Sequence, residues 1–365
     1  MEKYFWAALQ MVSGIGSVTL KRLVDYFGSA ANAWKASNAE ILESRILSEA
    51  LAKKLFRHRQ FLDMDKACAD WEAKQIKLLA VFEDDYPELL KNIYNPPAIL
   101  FYKGHIHKEK KHLAIVGSRK FSVYGKSLAE KFATDLAAMG FVIVSGAAHG
   151  IDTFAHCGAL TKGTTIAVLG CGVDVSYPRE NKRLLDKIAE KGAVLSEYAP
   201  GTQPLAAFFP ARNRIISGLS MGTIVVEAAK RSGSLITAEM ALSEGRDVFA
   251  VPGSVYSEQS EGCNHLIQQG AKLVTCAGDV AEEYGSRESS AAAEEQNGKL
   301  LMSAEEKEVY DTLSYERVLS VDEIIYKLRT NVSNISFVLL QMKLKKIVEE
   351  IQPGMYVRSA KGRIH

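Results

Sequence analysis

Glycine, hydroxyl and cationic side chains recur together in four short segments of this 365-residue chain. Glycine lets a backbone approach a ligand closely, while serine and arginine donate hydrogen bonds that suit phosphate oxygens. A small-residue turn that opens a helix also offers free backbone N–H groups and the positive end of the helix dipole. We therefore interpret all four segments as anion-binding loops, and they are 116–120, 145–152, 208–214 and 227–234.

The spacing of the glycines does not match two common phosphate-binding motifs. Residues 117–120 read Gly-Ser-Arg-Lys. The Gly-x-Gly-x-x-Gly pattern of dinucleotide-binding sites is therefore missing after the predicted strand 113–117. The chain also has no Gly-x-x-x-x-Gly-Lys-Ser/Thr sequence. Phe209, by contrast, lies close to Arg212 and Arg214. Aromatic faces stack bases while cations follow the backbone, which indicates single-stranded nucleic-acid binding.

Short apolar runs alternate with helical stretches from residue 80 to about residue 284. Continuous apolar strands between helices predict a parallel sheet that is covered on both faces, in a doubly wound, Rossmann-like α/β fold. Ligands bind such folds at the carboxyl ends of the strands, where we expect the four loops to meet. The predicted strands are 113–117, 141–144, 165–169, 193–197, 222–226 and 247–250, and the predicted helices are 127–139, 152–160, 181–191 and 234–244.

Changes in composition divide the chain into three domains and a linker. Residues 1–75 have helical periodicity and few strand signals, and the Gly-x-Gly turn within 12–18 resembles a helix-hairpin-helix element. Residues 76–284 form the predicted Rossmann-like core, and the small polar residues of 285–298 predict a linker. Residues 299–365 show the helix and strand order of a winged helix. Both flanking domains could contact DNA or another protein, and the sequence leaves this open.

Charge and cysteine usage exclude several classes of protein. Lys and Arg total 45 against 43 Asp and Glu, so any anion site must be built locally rather than by a polybasic tail. The five cysteines are scattered without a Cys-x-x-Cys motif, which indicates free thiols in a reducing cytosol and no structural zinc site. We expect no transmembrane helix, because no run of about 18 apolar residues is present, and no secretory signal, because the acidic Glu2 and a mixture of residues follow Met1.

Four sequence segments of the predicted core, residues 76–284, resemble the DprA/Smf family in their order and spacing. They are Ala114–Arg119, Ser145–Asp152, Phe209–Gly218 and Ala229–Thr237. The resemblance implies a cytoplasmic bacterial protein that acts as a homodimer, binds single-stranded DNA during natural transformation and helps load RecA onto it. It implies no catalysis, no cofactor and no metal. From the resemblance and the four loops, the predicted DNA-binding residues are Ser118, Arg119, Gly146, Gly150, Phe209, Arg212, Asn213, Arg214, Lys230, Ser232 and Ser234.

Two residues within these segments have a less clear role. Arg231 stands between Lys230 and Ser232, where relatives often carry a small or neutral residue, and it could strengthen binding or point to water. His149 could serve as a general base, but no motif places a nucleophile beside it, so we interpret it as a spectator.

An enzyme is the alternative from a different class. Gly218–Thr223 and Glu227 distantly resemble the Gly-Gly-x-Gly-Thr…Glu signature of nucleoside-monophosphate-processing enzymes with a lysine-decarboxylase-like fold. Those enzymes use a glutamate and an arginine on a nucleoside monophosphate. The paired glycine is missing here, because Ser220 and Met221 stand directly before Gly222.

Overall fold

The computed structural model of the protein describes residues 1–285, 302–315, 317–328, 332–345 and 347–359. Helices fill the first 75 residues, and serine or aspartate side chains cap several of them by accepting a backbone N–H, as Ser48 does from Leu51. Their bounds are α1 Glu2–Gln10, α2 Ser17–Phe27, α3 Ala30–Lys35, α4 Asn38–Glu43, α5 Glu49–Phe61 and α6 Met64–Ala73.

A large twisted sheet follows, and its buried strands are almost continuously apolar. Within the described residues its order is β1-β2-β6-β5-β4-β3-β7-β8-β9. The strands are β1 Lys77–Ala80, β2 Ile99–Gly104, β3 His112–Val116, β4 Val142–Ser145, β5 Thr165–Val168, β6 Ala193–Ser196, β7 Gly222–Val225, β8 Asp247–Ala250 and β9 Lys272–Leu273. From β6 to β9 all neighbours are parallel, which confirms the predicted Rossmann-like sheet.

The sequence prediction missed the antiparallel edge of this sheet. Strand β2 pairs antiparallel with both β1 and β6. Helices α1 and α6 pack against this edge, because Trp6 and Trp71 share one apolar cluster with Leu78 and Phe101. The N-terminal helices and the sheet therefore have a common core.

Helices cover both faces of the sheet and, between parallel strands, return the chain to the edge at which the next strand begins. They are α7 Glu88–Lys91, α8 Val123–Ala138, α9 Ile151–Lys162, α10 Lys182–Lys191, α11 Phe208–Leu219, α12 Gly233–Ser243, α13 Glu261–Gln268 and α14 Ala277–Glu283. The chain winds from β3 to β6 in one direction and from β7 to β9 in the other. The switch point between β3 and β7 opens a crevice at the carboxyl edge of the sheet, as doubly wound folds do.

The last part of the chain has its own small sheet and its own apolar cluster, which contains Val309, Ile324 and Leu339. Strand β12 lies between β10 and β11 and is antiparallel to both. The elements are α15 Ala304–Thr312, β10 Leu319–Ser320, α16 Val321–Leu328, α17 Val332–Leu344, β11 Val348–Gln352 and β12 Met355–Arg358. The predicted linker, apart from Gly285, lies outside the described residues.

All five cysteines have free thiols, as the sequence predicted. Across the part of the chain that the structure describes, no helix combines the length and apolar character needed to cross a membrane.

Candidate nucleic-acid interface

The carboxyl-edge crevice lies at the switch point between β3 and β7 and has a volume of about 680 Å³. Residues that follow β3, β4, β5, β6, β7 and β8 and the start of α11 form its walls. Seven of the predicted site residues line it, and they are Ser118, Arg119, Phe209, Arg212, Asn213, Ser232 and Ser234. The remaining four are Gly146, Gly150, Arg214 and Lys230, whose positions are described below.

One wall of the crevice combines two aromatic rings with an exposed cation. The Arg119 guanidinium lies 5.3 Å from the centre of the Phe209 ring. The rings of Phe209 and Tyr177 are 5.3 Å apart and tilted by 41°. Arg119 forms no salt bridge with a carboxylate of the described residues. Its charge therefore remains free for an anion beside two ring faces.

The segment 208–214 is helical, so the prediction of a loop there was wrong. It forms the first two turns of α11, Phe208–Leu219. Pro210 is compatible with this position because the first turn of a helix needs no hydrogen bond from its N–H groups. Ile215, Ile216 and Leu219 then anchor the helix in the core. On a helix, residues two apart lie on different faces, so Arg212 and Arg214 diverge.

Arg212 is buried at the base of the crevice, with 4% of its surface exposed. Its Nη1 atom donates to the Gly146 carbonyl at 2.6 Å and to the Val168 carbonyl. A Cβ on Gly146 would lie 2.5 Å from that Nη1, so glycine makes room for the guanidinium. Burial raises the pKa of Asp152, and the positive charge of Arg212 opposes this rise. Arg212 and Gly146 thus belong to the framework of the crevice.

Arg214 points to the other side of α11, toward the N-terminal helices. Its Nη2 donates to both carboxylate oxygens of Glu197, at 2.7 and 2.6 Å. The Ser17 hydroxyl at the start of α2 donates to the same carboxylate at 3.1 Å. Arg214 therefore links α11 to the first helices of the chain, and its guanidinium does not line the crevice.

The loop after β7 presents its cations and the start of α12 to the crevice. Lys230 and Arg231 are both exposed, but the crevice lining includes Arg231 and not Lys230. Ser232 caps α12, and its hydroxyl lies 2.8 Å from that of Ser234. Ser234 also lines the crevice. The free N–H groups of this first turn favour a negative charge.

Gly150 and Ser118 fix the packing between the loops after β4 and β3. Gly150 has a φ of +91°, and a Cβ there would lie 2.4 Å from the Ser118 carbonyl oxygen. The Ser118 hydroxyl donates to the Lys120 carbonyl at 2.5 Å and to the Gln259 side chain at 3.0 Å. These bonds shape the loop that carries Arg119.

The crevice lining also includes Lys120, Tyr177, Arg231 and Gln259, which are not among the predicted DNA-binding residues. Tyr177 and Gln259 lie on the loops that follow β5 and β8. Both strands were predicted, so an aromatic or amide residue in the loop after each was a usable signal. Lys120 and Arg231 lie within the predicted anion-binding loops 116–120 and 227–234.

Glu227 is not part of the crevice lining. It is 2% exposed, and its carboxylate accepts hydrogen bonds from the Ser122 N–H at 3.0 Å and from the Ser122 hydroxyl. Burial raises the pKa of Glu227, and the bonds from Ser122 lower it. A carboxylate at the start of α8 also interacts favourably with the helix dipole. This position suits a structural cap rather than the acid of the alternative enzyme.

Comparison with known proteins supports a relation over the whole sheet. Residues 77–285 match the family model described as DNA recombination-mediator protein A. The chain is 52% identical to DNA processing protein DprA of Streptococcus pneumoniae over 232 residues, which is 63% of this chain and 82% of that protein.

Two solved structures are also similar. The X-ray structure of DNA processing protein A from S. pneumoniae has 42% sequence identity and a TM-score of 0.68, over 78% of this chain and 98% of that one. DNA processing protein A from Helicobacter pylori has 31% identity and a TM-score of 0.53, over 57% of this chain and 95% of that one. The H. pylori structure concerns a single-stranded DNA binding mode of that protein.

Proposed function

Since the chain belongs to the DNA recombination-mediator protein A family of DNA processing proteins, we propose that it binds single-stranded DNA in the carboxyl-edge crevice. The observation that carries this proposal is the wall formed by Tyr177, Phe209 and Arg119. Rings accept unstacked bases and a cation beside them accepts the phosphate, which is the chemistry of single-strand binding. The single-stranded DNA binding mode of the H. pylori relative supports the same ligand.

The exposed cations of the crevice should bind the phosphates. Arg119, Lys120 and Arg231 are exposed and line the crevice, and the first turn of α12 adds backbone N–H groups. Asn213 offers further polar contacts near Gly233. Four of the predicted DNA-binding residues determine the shape of the crevice and do not contact DNA themselves, because their polar atoms or their missing Cβ atoms serve the fold. They are Ser118, Gly146, Gly150 and Arg212.

A ligand with unpaired bases fits this surface better than a duplex. Bases in a duplex are stacked on one another, so their faces cannot reach Phe209 or Tyr177 without separation of the strands. Every base has an aromatic face, which makes such contacts tolerant of sequence. We therefore expect a preference for single strands and little preference among base sequences.

The finer organisation and the partners are part of the same proposal. Residues 1–75 form a SAM or helix-hairpin-helix-like domain, 76–284 the DNA-binding core, 285–298 a linker and 299–365 a winged helix. The order α15, β10, α16, α17, β11, β12 supports the winged helix. We infer from the family resemblance that the protein acts as a homodimer. The family description of a recombination mediator supports the further proposal that it helps load RecA onto the bound strand.

Direct binding measurements test this function. The full chain should bind a labelled single-stranded oligonucleotide more tightly than the corresponding duplex at the same salt concentration, and it should speed the assembly of RecA on that strand. Equal affinity for both forms would contradict the DNA proposal, and unchanged RecA assembly would contradict the loading role. Turnover of nucleoside monophosphates would instead favour the enzyme alternative.

A further inference from the structure

The loop between β8 and α13, residues 251–260, presents two apolar side chains to solvent near the crevice. Val255 and Tyr256 at its tip are 79% and 96% exposed. Both side chains remain almost wholly outside the packing of the fold, so they contribute little burial free energy. Their apolar surface is therefore open to a ligand that extends beyond the crevice.

Hydrogen bonds hold this loop in a defined conformation. The Ser257 N–H donates to the Ser254 carbonyl at 3.0 Å. The Asn264 side chain accepts the Gly253 N–H at 3.3 Å and donates to the Gly253 carbonyl at 3.1 Å. A loop fixed in this way positions the Tyr256 backbone before a ligand arrives, which lowers the entropic cost of a contact.

Gln259 connects the loop to the crevice. Its side-chain oxygen accepts the Ser118 hydroxyl at 3.0 Å, and its carbonyl accepts the Ala228 N–H at 2.9 Å. Gln259 also lines the crevice. Tyr256 is three residues earlier, so its backbone lies within about 11 Å of that of Gln259. A strand that fills the crevice can therefore reach the Tyr256 ring by continuing along the edge of the sheet.

We propose that Tyr256 is a further DNA contact, on which a base stacks where the strand leaves the crevice across the end of β8. This inference rests on the proposed function. Tyr177 follows β5 and Tyr256 follows β8, which are four strand spacings or about 19 Å apart in the sheet. Arg119 after β3 and Arg231 after β7 lie between them. The path thus has aromatic rings at both ends and cations in its middle.

The charge of the loop favours stacking over phosphate binding. Residues 251–260 contain no lysine or arginine, and Glu258 is exposed two residues after Tyr256. A carboxylate there repels phosphate, so attraction must come from the base faces. Loss of the ring should therefore weaken binding without a change in its dependence on salt, because stacking releases no counterion.

The test compares two lengths of oligo-deoxythymidine on the full chain at one salt concentration. An oligonucleotide of about three nucleotides is too short to span the roughly 19 Å from the end of β5 to the end of β8, while one of about 16 covers the whole path. Tyr256→Ala should weaken binding of the longer one about five- to tenfold and leave the shorter one unchanged. Tyr256→Phe keeps the ring and should bind like the unmodified protein.

Tyr94→Ala is the matched control. Tyr94 is 95% exposed, and its N–H donates to Glu244 just after the end of α12, at the opposite edge of the sheet. Its loss should change neither affinity. Tyr256→Trp adds a second measurement, because stacking of a base on the indole should change its fluorescence with the longer oligonucleotide and not with the shorter one.

Three outcomes would overturn the inference. If Tyr256→Ala binds the longer oligonucleotide like the unmodified protein, the strand does not use this loop, and the proposed function stands. If it weakens both lengths equally, the ring acts on the crevice itself. If the unmodified protein binds neither length, the proposed function fails and the inference fails with it.

Discussion

Replacement of Arg119 by alanine should weaken the binding of single-stranded DNA more than any other single truncation in the crevice. Arg119 is exposed and carries a charge that no described carboxylate neutralises, and its guanidinium is held over the Phe209 ring at 5.3 Å. One charge-assisted hydrogen bond to phosphate contributes about 1.5–3 kcal/mol, which corresponds to a loss of roughly 10- to 150-fold in affinity. Arg119→Lys keeps the charge but lacks the paired N–H donors of the guanidinium, so it should bind more tightly than Arg119→Ala and less tightly than the unmodified protein.

Fluorescence anisotropy of a labelled oligonucleotide over a salt series provides the measurement. Loss of one phosphate contact should flatten the slope of log affinity against log salt by about 0.7 for a single strand. Phe209→Ala should weaken binding with nearly the same slope as the unmodified protein, because a ring releases no counterion. The difference between the two variants separates electrostatic contacts from stacking.

Arg57 provides a matched control for this experiment. It is an exposed arginine on α5 whose guanidinium lies 5.9 Å from the Phe61 ring, far along the chain from the crevice loops. Arg57→Ala should leave affinity and slope unchanged. If Arg119→Ala is folded by circular dichroism and still binds like the parent with the parent slope, then Arg119 does not contact the DNA backbone and the assignment of the crevice is wrong.

Three further predictions concern the framework of the site. Gly146→Ala should lower the free energy of unfolding in urea by about 1–3 kcal/mol, because the new Cβ would lie 2.5 Å from Nη1 of Arg212. Arg214→Gln breaks the ion pair with Glu197 and should also cost about 1–3 kcal/mol in urea, with the salt slope of DNA binding unchanged. Burial lowers the pKa of His156 to about 3, so the unfolded chain takes up this proton first as pH falls. Stability should therefore decline from about pH 6.5 downward by up to about 1.4 kcal/mol per pH unit, and less steeply in His156→Asn.

Each of these framework predictions has a clear contrary result. Unchanged stability of Gly146→Ala would show that Arg212 moves aside at no cost. A flatter salt slope for Arg214→Gln would place that guanidinium on DNA after all. Equal acid profiles for His156→Asn and the unmodified protein would show that the buried imidazole does not contribute to the loss of stability.

Much of the sheet could be predicted from the sequence because its strands are short, apolar and separated by helices. The predicted strand 247–250 coincides with β8, and the predicted helix 234–244 agrees with α12 to within one residue at each end. Strands β1 and β2 were missed, since they precede the regular alternation of strand and helix and join the sheet by antiparallel contacts that depend on the folded N-terminal helices.

The candidate site was less predictable, and α11 shows why. Pro210 and the cluster of polar residues around it suggested a loop, although the first turn of a helix accepts proline. Once the helix is known, its periodicity separates Arg212 from Arg214. Which of the two faces the crevice depends on Glu197, which lies in another part of the chain, and no local pattern contains that information.

The hydrogen-bonding needs of the fold decide which of the site's arginines remain available to a ligand. Buried polar groups require partners, and the carbonyls of Gly146 and Val168 lie where β4 and β5 end. Arg212 donates to both carbonyls, so its guanidinium is not available to a ligand, although its position in the sequence suggests a DNA contact. Arg119 extends from a loop whose own bonds are completed by Ser118, and it keeps its donors free. A count of cations in a motif therefore overestimates the phosphate contacts, and the measured salt slope should correspond to the exposed arginines and lysines alone.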